Sequence, residues 1–240
     1  MKLRKPVVNY LKLRPRNILS PEYRHVLLLL YWVAYMIFWF LIEHLTPNSR
    51  YMPIHSPLDD MIPYWEWSIF AYAGWYVSLV WVSLYTLAYD IDAFKRFMYY
   101  LCVTTVISMS IFVLFPFEFT RADLDSLGRS NILIDLTRLI YTVDMNRNVC
   151  PSMHCTGAFA VLFAMHSTAT FRTKGWTAFF TIFALMVCAS TMLIKQHSIL
   201  DFFAALPVIA VAYYLVYFRD RKAIAAKIQA QREARAAQAA

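Results

Sequence analysis

Long apolar segments separated by shorter polar ones make up most of the chain. Six segments approach membrane length, with approximate boundaries at 25–45, 66–88, 95–115, 155–171, 176–195 and 200–218. A helix needs about 20 residues to cross the hydrocarbon core of a bilayer, which these segments match. Backbone groups in hydrocarbon must be hydrogen-bonded within the segment, so each one is predicted to be helical. The pattern therefore predicts an all-α, polytopic membrane protein with six transmembrane helices in a bundle.

Composition supports this class. The chain of 240 residues is 60% hydrophobic and 16% charged, which is less charge than a soluble domain usually carries. The basic N-terminus does not resemble a cleaved signal peptide, because the following apolar run is too long and has no small-residue cleavage site. We divide the chain into a basic cytoplasmic segment (1–24), a six-helix membrane domain (25–218) and a basic, Ala-rich cytoplasmic tail (219–240).

The net charge of +8 is concentrated at the two ends of the chain. Both basic clusters flank predicted membrane segments, where positive charge sets topology and contacts anionic lipid. We therefore expect the membrane as partner and no nucleic acid. Six crossings place both termini on one side, together with the turns near Lys95 and Arg172. The positive-inside bias makes that side cytoplasmic, and we expect a bacterial plasma membrane with the opposite, non-cytoplasmic face carrying the site.

Two histidines stand beside apolar segments, where an ionisable side chain is costly unless it has a function. His154 lies in the stretch Cys-Pro-Ser-Met-His-Cys and His197 in Lys-Gln-His-Ser-Ile-Leu-Asp. They are 43 residues apart, or about two bilayer crossings, so the chain returns to the side that it left. Asp201 follows His197 by four residues and shares its helix face. This pair is either a buried ion pair or a carboxylate that orients a nucleophilic imidazole.

Phosphate-binding groups accompany the histidines. Ser152, Met153 and His154 would open a helix, whose free N–H groups favour a phosphate. Two basic residues on the same side add positive charge, Arg121 and Lys195. The guanidinium of an arginine presents several N–H donors in a fork that suits a phosphoryl group. Acidic residues do not cluster as magnesium requires, and the cysteine and histidine spacing matches none of the usual zinc patterns. We predict metal-independent phosphoryl transfer through a phosphohistidine, with no cofactor.

The long connections carry further expectations. Residues 130–143 have apolar positions at helical spacing, which predicts an amphipathic helix at the membrane interface. Asp144 and Arg147 are interpreted as a pair that orders the loop rather than as catalytic residues. The connection around 53–67 is either an interfacial aromatic belt or a lid over the site.

The motifs resemble those of a known family. Pro151-Ser152-Met153-His154 and the spacing Ser190, His197, Asp201 resemble the second and third signatures of the type 2 phosphatidic acid phosphatase superfamily, Pro-Ser-Gly-His and Ser-Arg-x5-His-x3-Asp. The first signature, Lys-x6-Arg-Pro, is matched only at Arg121.

The resemblance implies a role for each matching position. His197 would be the nucleophile, Asp201 its orienting partner, and His154 the proton donor to the leaving oxygen. Further residues would hold the phosphoryl oxygens: Arg121, Ser152, the backbone near Met153, and Ser190. The substrate would be a lipid phosphate or diphosphate.

The sequence departs from the family signatures at four positions. Leu114 and Ala122 replace the lysine and proline of the first signature, Met153 replaces a glycine, and Thr191 replaces an arginine. Lys195, one helical turn from Thr191, could supply one of the missing charges. Looser signatures of this kind are similar to the inositol phosphorylceramide synthase branch, which makes head-group transfer between lipids an alternative. A non-catalytic lipid-binding or transport protein is a third and weaker reading.

Overall fold

Helices dominate the part of the chain that the structure describes. The structure, a computed structural model, describes residues 6–239. Its α-helices are α1 (Leu30–Leu45), α2 (Pro57–Met61), α3 (Ile69–Tyr89), α4 (Ile91–Leu114), α5 (Ile132–Val143), α6 (Met153–His166), α7 (Lys174–Leu193), α8 (Ile199–Tyr213) and α9 (Arg221–Ala239). Two short strands, β1 (Met52–Pro53) and β2 (Phe117–Glu118), pair in parallel. The predicted all-α class is confirmed.

Within residues 6–239, five helices, taken with their short 3₁₀ or π extensions, are long and apolar enough to cross a membrane. They are Arg24–Leu45, Glu66–Tyr89, Ile91–Leu114, Lys174–Leu193 and Ile199–Phe218. These helices indicate a membrane protein. The apolar helix α6 has only 14 residues and a length of about 21 Å, so it is shorter than the predicted segment 155–171.

Helix α6 lies in the interior of the bundle and packs against α3, α4, α7 and α8. Ten of its residues are buried, on every side of the helix. A helix that is apolar all round is stable only when it is surrounded, as here. Gly157 permits a close approach to α3, because a Cβ atom at this position would lie 2.7 Å from Nε1 of Trp75.

The connections gather at two opposite ends of the bundle. At the loop end, β1 and β2 join the connections that follow α1 and α4, and Lys195 Nζ donates to the carbonyl of Asp59 at 2.5 Å. At the terminal end, the amide of Val7 donates to the carbonyl of Ala88, and Lys227 pairs with Asp90 at 2.6 Å. The segments around Val7 and Lys227 therefore lie together, opposite the loops that carry the two histidines.

Helix α5 covers the loop end. It occupies most of the predicted segment 130–143, and Asn131 caps it by accepting from the amides of Leu133 and Ile134. Leu133 and Ile134 are buried against the bundle, whereas Asp135 and Arg138 are exposed. The prediction of an amphipathic helix here is confirmed.

Candidate functional site

His154 and His197 meet at the loop end of the bundle. Nδ1 of His154 lies 3.2 Å from Nε2 of His197, and the other nitrogen of His197, Nδ1, lies 2.9 Å from Oδ2 of Asp201. Both histidines are buried, and Asp201 is fully buried. The Asp201 carboxylate accepts the Nδ1 proton of His197, which fixes the tautomer with a lone pair on Nε2. That lone pair faces His154.

Backbone geometry at the start of α8 holds this arrangement. Ser198 is the N-cap of α8, and its amide donates to Oδ2 of Asp201 at 3.2 Å, completing a capping box. The amide of Ser152, which precedes α6, donates to the carbonyl of Asp201 at 3.1 Å. The amide of His197 donates to the carbonyl of Thr191. The two histidine motifs are thus tied together through the backbone as well as through their rings.

Asp59 secures the same turn from the connection between α1 and α3. Its buried carboxylate accepts from the hydroxyl of Ser198 at 2.6 Å and from the amide of Ile199 at 2.8 Å. A carboxylate at a helix N-terminus is favoured by the helix dipole. The sequence predicts no contact for Asp59 itself, only that its connection forms an interfacial aromatic belt or a lid. The capping box that Ser56 and Asp59 form at α2 was the signal available, but it gives no hint of the long-range contact.

Asp144 lies against His154, and the predicted pairing of Asp144 with Arg147 is wrong, because among the described residues Arg147 pairs with Glu43 and Glu118 instead. Oδ2 of Asp144 lies 3.3 Å from Nε2 of His154, close enough for an ion pair. The hydroxyls of Tyr72 and Tyr76 donate to the same oxygen, the latter at 2.8 Å. Burial opposes ionisation of Asp144, but His154 and the two tyrosines together hold its pKa well below the usual range. The sequence could not show the contacts with Tyr72 and Tyr76, because these residues precede Asp144 by 72 and 68 positions.

Aromatic rings of α3 enclose the imidazole of His154. Its ring centroid lies 4.5 Å from that of Tyr72 and 4.3 Å from that of Trp75. Gly157 makes room for Trp75 one helical turn after His154. Electron-rich ring faces favour a cation, so this enclosure suits a protonated imidazole.

A cavity of about 320 Å³ opens in front of the histidine pair. Asp144, Arg147, Met153, His154 and His197 line its polar end. The remaining walls come largely from α1, α3 and α4. This volume lies at the lower end of the usual range for ligand pockets, about 300–1,000 Å³.

Arg147 is the arginine that lines the cavity. Its guanidinium lies 3.8 Å from Glu43 and 3.9 Å from Glu118, and stacks over the ring of Tyr51 at 4.8 Å. Both ion pairs are long, so its donors are not firmly committed. The sequence singled out Arg121 instead, as a fork of donors on the side of the histidines and then as the match to the first family signature.

The structure does not bring four predicted phosphate-binding side chains to the cavity: Arg121, Ser152, Ser190 and Lys195. Arg121 donates to the carbonyls of Tyr141 and Asp144, and the Lys195 ammonium to those of Asp59 and Ile62.

The two serines are engaged in their own helices. The Ser190 hydroxyl donates to the carbonyl of Val187 at 2.7 Å, and the Ser152 hydroxyl caps α6 by accepting from the amide of Cys155. Each hydroxyl thus binds a backbone group of its own helix, which is a physical reason for its absence from the cavity. Of the predicted phosphate ligands, Met153 lines it.

The cysteines near the motif offer no nucleophile. Cys150 and Cys155 are both free and buried. Burial and the neighbouring Asp201 carboxylate raise the pKa of the Cys150 thiol to about 12, so the thiol stays protonated at neutral pH. His154 and His197 line the cavity, whereas Cys150 and Cys155 do not.

Comparisons with protein-family models, with curated proteins and with solved structures find no match for this chain. The chemistry must therefore be inferred from the residues of the site. They provide an oriented imidazole, a second imidazole beside a carboxylate, an arginine, and a cavity that continues between apolar helices.

Proposed function

We propose that this chain is an integral membrane enzyme that removes a phosphoryl group from a lipid phosphate or diphosphate through a phosphohistidine on His197. The observation that carries the proposal is the sequence of contacts Asp201–His197–His154 at the mouth of an elongated, mostly apolar cavity. This arrangement supports the resemblance to type 2 phosphatidic acid phosphatases, which the motifs first indicated.

In the first step, Nε2 of His197 attacks phosphorus and the bond from phosphorus to the lipid oxygen breaks. Asp201 keeps the attacking lone pair on Nε2 and stabilises the positive charge that develops on the ring. The histidine nitrogens are 3.2 Å apart, so the phosphoryl group must enter between them and replace their contact.

His154 donates its proton to the leaving lipid oxygen in the same step. Asp144 supports this role, because a carboxylate beside an imidazole favours the protonated form. In the second step, water gives a proton to His154 and its oxygen attacks the phosphohistidine. The bond from phosphorus to nitrogen then breaks, inorganic phosphate leaves, and both histidines return to their starting states.

The phosphoryl oxygens need positive partners. The amides of Met153 and His154 open α6 and point toward its N-terminal end, where an anion is favoured. The guanidinium of Arg147 adds a charged fork at the polar end of the cavity. Arg121, held by the carbonyls of Tyr141 and Asp144, instead orders the segment that carries Asp144.

The proposal includes a topology. Helix α6 would be a sixth, short crossing, packed against α3, α4, α7 and α8. The basic chain ends would then face the cytoplasm and the loop end the opposite side of a bacterial plasma membrane. A lipid fits this geometry, because its head group lies at interface depth while its chain stays in hydrocarbon.

Transfer to an alcohol acceptor, as in inositol phosphorylceramide synthases, is the alternative outcome of the second step. Purified protein would be given lipid phosphates and diphosphates in EDTA, with and without alcohol acceptors. Free phosphate supports the phosphatase, whereas a new phosphate-linked lipid supports the transferase. Lipid binding without turnover would support the non-catalytic reading. Unchanged turnover by His197→Ala would rule out the mechanism.

A further inference from the structure

The cavity in front of the histidines extends along one face of α1. Tyr31, Tyr35 and Trp39 stand four residues apart and therefore share a helix face. Their rings stack in sequence, with centroids 6.1 Å and 6.3 Å apart, and all three line the cavity. We call these three residues the aromatic ladder. It runs for about 12 Å along the helix axis at 1.5 Å per residue.

Polarity changes along this cavity. Its charged and histidine residues are Asp144, Arg147, His154 and His197, all at the loop end. Toward the other end, the ladder is faced by Trp75 of α3 and by Leu101 of α4 among other neutral residues. A lining that is charged at one end and apolar at the other matches an amphiphile with an anionic head.

The deep end contains hydroxyl groups that are already hydrogen-bonded. Tyr31 and Thr105 share a hydrogen bond of 2.7 Å, and the Thr104 hydroxyl donates to carbonyls of its own helix. These groups need no polar partner from a ligand, so a hydrocarbon end can lie against them without an unpaired donor. They also bound the cavity, which would limit the length of a chain inside it.

We propose that the aromatic ladder binds one hydrocarbon chain of the substrate, with the phosphate of the same molecule between His154 and His197. This inference rests on the proposed function and deepens it by naming the substrate class: a phosphate monoester on an alkyl chain that enters the bundle between α1 and α3. The cavity of about 320 Å³ holds one chain rather than two, so a second chain would remain in the bilayer.

Met153 connects the two parts of the site. Its side chain, like those of Tyr35 and Trp39 of the ladder, packs against the cluster that contains Phe112 of α4, while its amide opens α6 beside His154. The resembling signature has glycine at this position. The methionine side chain here forms the wall where the head-group site meets the chain site.

The test compares dodecyl phosphate with butyl phosphate as substrates in lipid nanodiscs. Trp39→Ala removes part of the ladder. Phe38→Ala, its neighbour on the exposed face of α1, is the matched control because Phe38 does not line the cavity. We expect Trp39→Ala to lower kcat/KM for dodecyl phosphate about tenfold, because about two methylenes of the substrate lose their contact with the indole ring. Butyl phosphate turnover should be unchanged in Phe38→Ala, and in Trp39→Ala it should fall much less than dodecyl phosphate turnover does.

Equilibrium binding of dodecyl phosphate is measured in parallel, in the His197→Ala background, so that the result does not depend on turnover. Here too, Trp39→Ala should weaken binding about tenfold and Phe38→Ala should not. Met36→Trp, which fills the cavity from an exposed position on α1, gives a second variant whose folding is not at risk. Met36→Trp should also weaken the binding of dodecyl phosphate, because the added ring occupies space in the cavity.

The outcomes separate the two proposals. If neither phosphate is turned over but the ladder variants weaken dodecyl phosphate binding, the chain site stands and the proposed reaction is wrong. If both phosphates are turned over and Trp39→Ala, Met36→Trp and Phe38→Ala bind and process dodecyl phosphate equally, the chain site is overturned and the reaction stands.

Discussion

Oδ2 of Asp144 lies 3.3 Å from Nε2 of His154, on the side of the imidazole that faces away from His197. Asp201 stands in the corresponding position behind His197, at 2.9 Å. Each histidine therefore has its own carboxylate. In the proposed reaction His154 is the acid and His197 the nucleophile, and each carboxylate contacts the imidazole that it assists.

Replacing Asp144 by asparagine tests its influence on the acid. The amide does not favour the protonated imidazole, so the alkaline limb of the pH–activity profile should move to lower pH by about one unit. The measurement is kcat/KM across pH. Asp135→Asn, on the exposed face of α5, is the control and should leave the profile unchanged. An identical profile for Asp144→Asn would mean that Asp144 only orders the loop.

The same residue predicts a pH dependence of stability. Because folding lowers the pKa of Asp144, its ionised form stabilises the fold fully above the unfolded pKa of about 3.9 and progressively less as pH falls toward the folded value. Thermal unfolding should therefore separate wild type from Asp144→Asn at neutral pH. The difference should shrink below about pH 4. A difference that grows in acid would contradict the assignment.

Asp59→Asn should loosen the turn that carries His197. The substitution removes the carboxylate that accepts hydrogen bonds from Ser198 and Ile199. We expect the free energy of unfolding to fall by about 2 kcal/mol and kcat to fall as well. Asp60→Asn is the matched control, because Asp60 is exposed and contacts only His55 among the described interactions. Equal unfolding temperatures for the two variants would show that Asp59 is not needed for this turn.

Gly157→Ala should disturb the enclosure of His154. The added methyl group would meet Trp75, whose ring packs on His154, so kcat should fall about tenfold and the unfolding temperature should drop. Gly175→Ala, in the first turn of α7 with open space around it, should be neutral or slightly stabilising. If Gly157→Ala keeps full activity, the packing of Trp75 on His154 has no part in catalysis.

Arg147 should contribute more to phosphate binding than Lys195. Arg147→Ala should lower kcat/KM about a hundredfold, mainly through KM, since a charged fork at the phosphate is lost. Arg138→Ala is the control, because Arg138 is exposed on α5 and pairs with Asp125 rather than with a residue of the cavity. Lys195→Ala should act chiefly on stability, because its ammonium holds carbonyls of the loop. The reverse ranking of Arg147 and Lys195 would restore the expectation drawn from the sequence.

Contacts between residues at regular, short spacings along the chain can be predicted from the sequence. His197 and Asp201 are one helical turn apart, and the spacing of 43 residues brings His154 back to the same end, so the contact between these residues could be anticipated. The helical spacing of apolar residues in 130–143 predicts α5. Each of these features depends on periodicity along the chain.

Other features depend on packing between distant segments. Asp59 reaches Ser198 across 139 residues, and Asp144 meets tyrosines of α3 across about 70. No periodicity signals such contacts. The choice between Arg121 and Arg147 likewise depends on which side chain the loop directs into the cavity. Helix α6 is shorter than its apolar run because residues after His166 form turns instead of continuing the helix.

The most direct test of the central claim is to trap the covalent intermediate. Protein would be mixed with a radiolabelled lipid phosphate, quenched within a turnover in alkali, which preserves phosphohistidine, and digested for peptide mapping. The phosphohistidine mechanism predicts one phosphoryl group on His197, lost on a chase with unlabelled substrate and absent from His197→Ala. Turnover with no label on His197, or label on another residue with His197→Ala fully active, would contradict it.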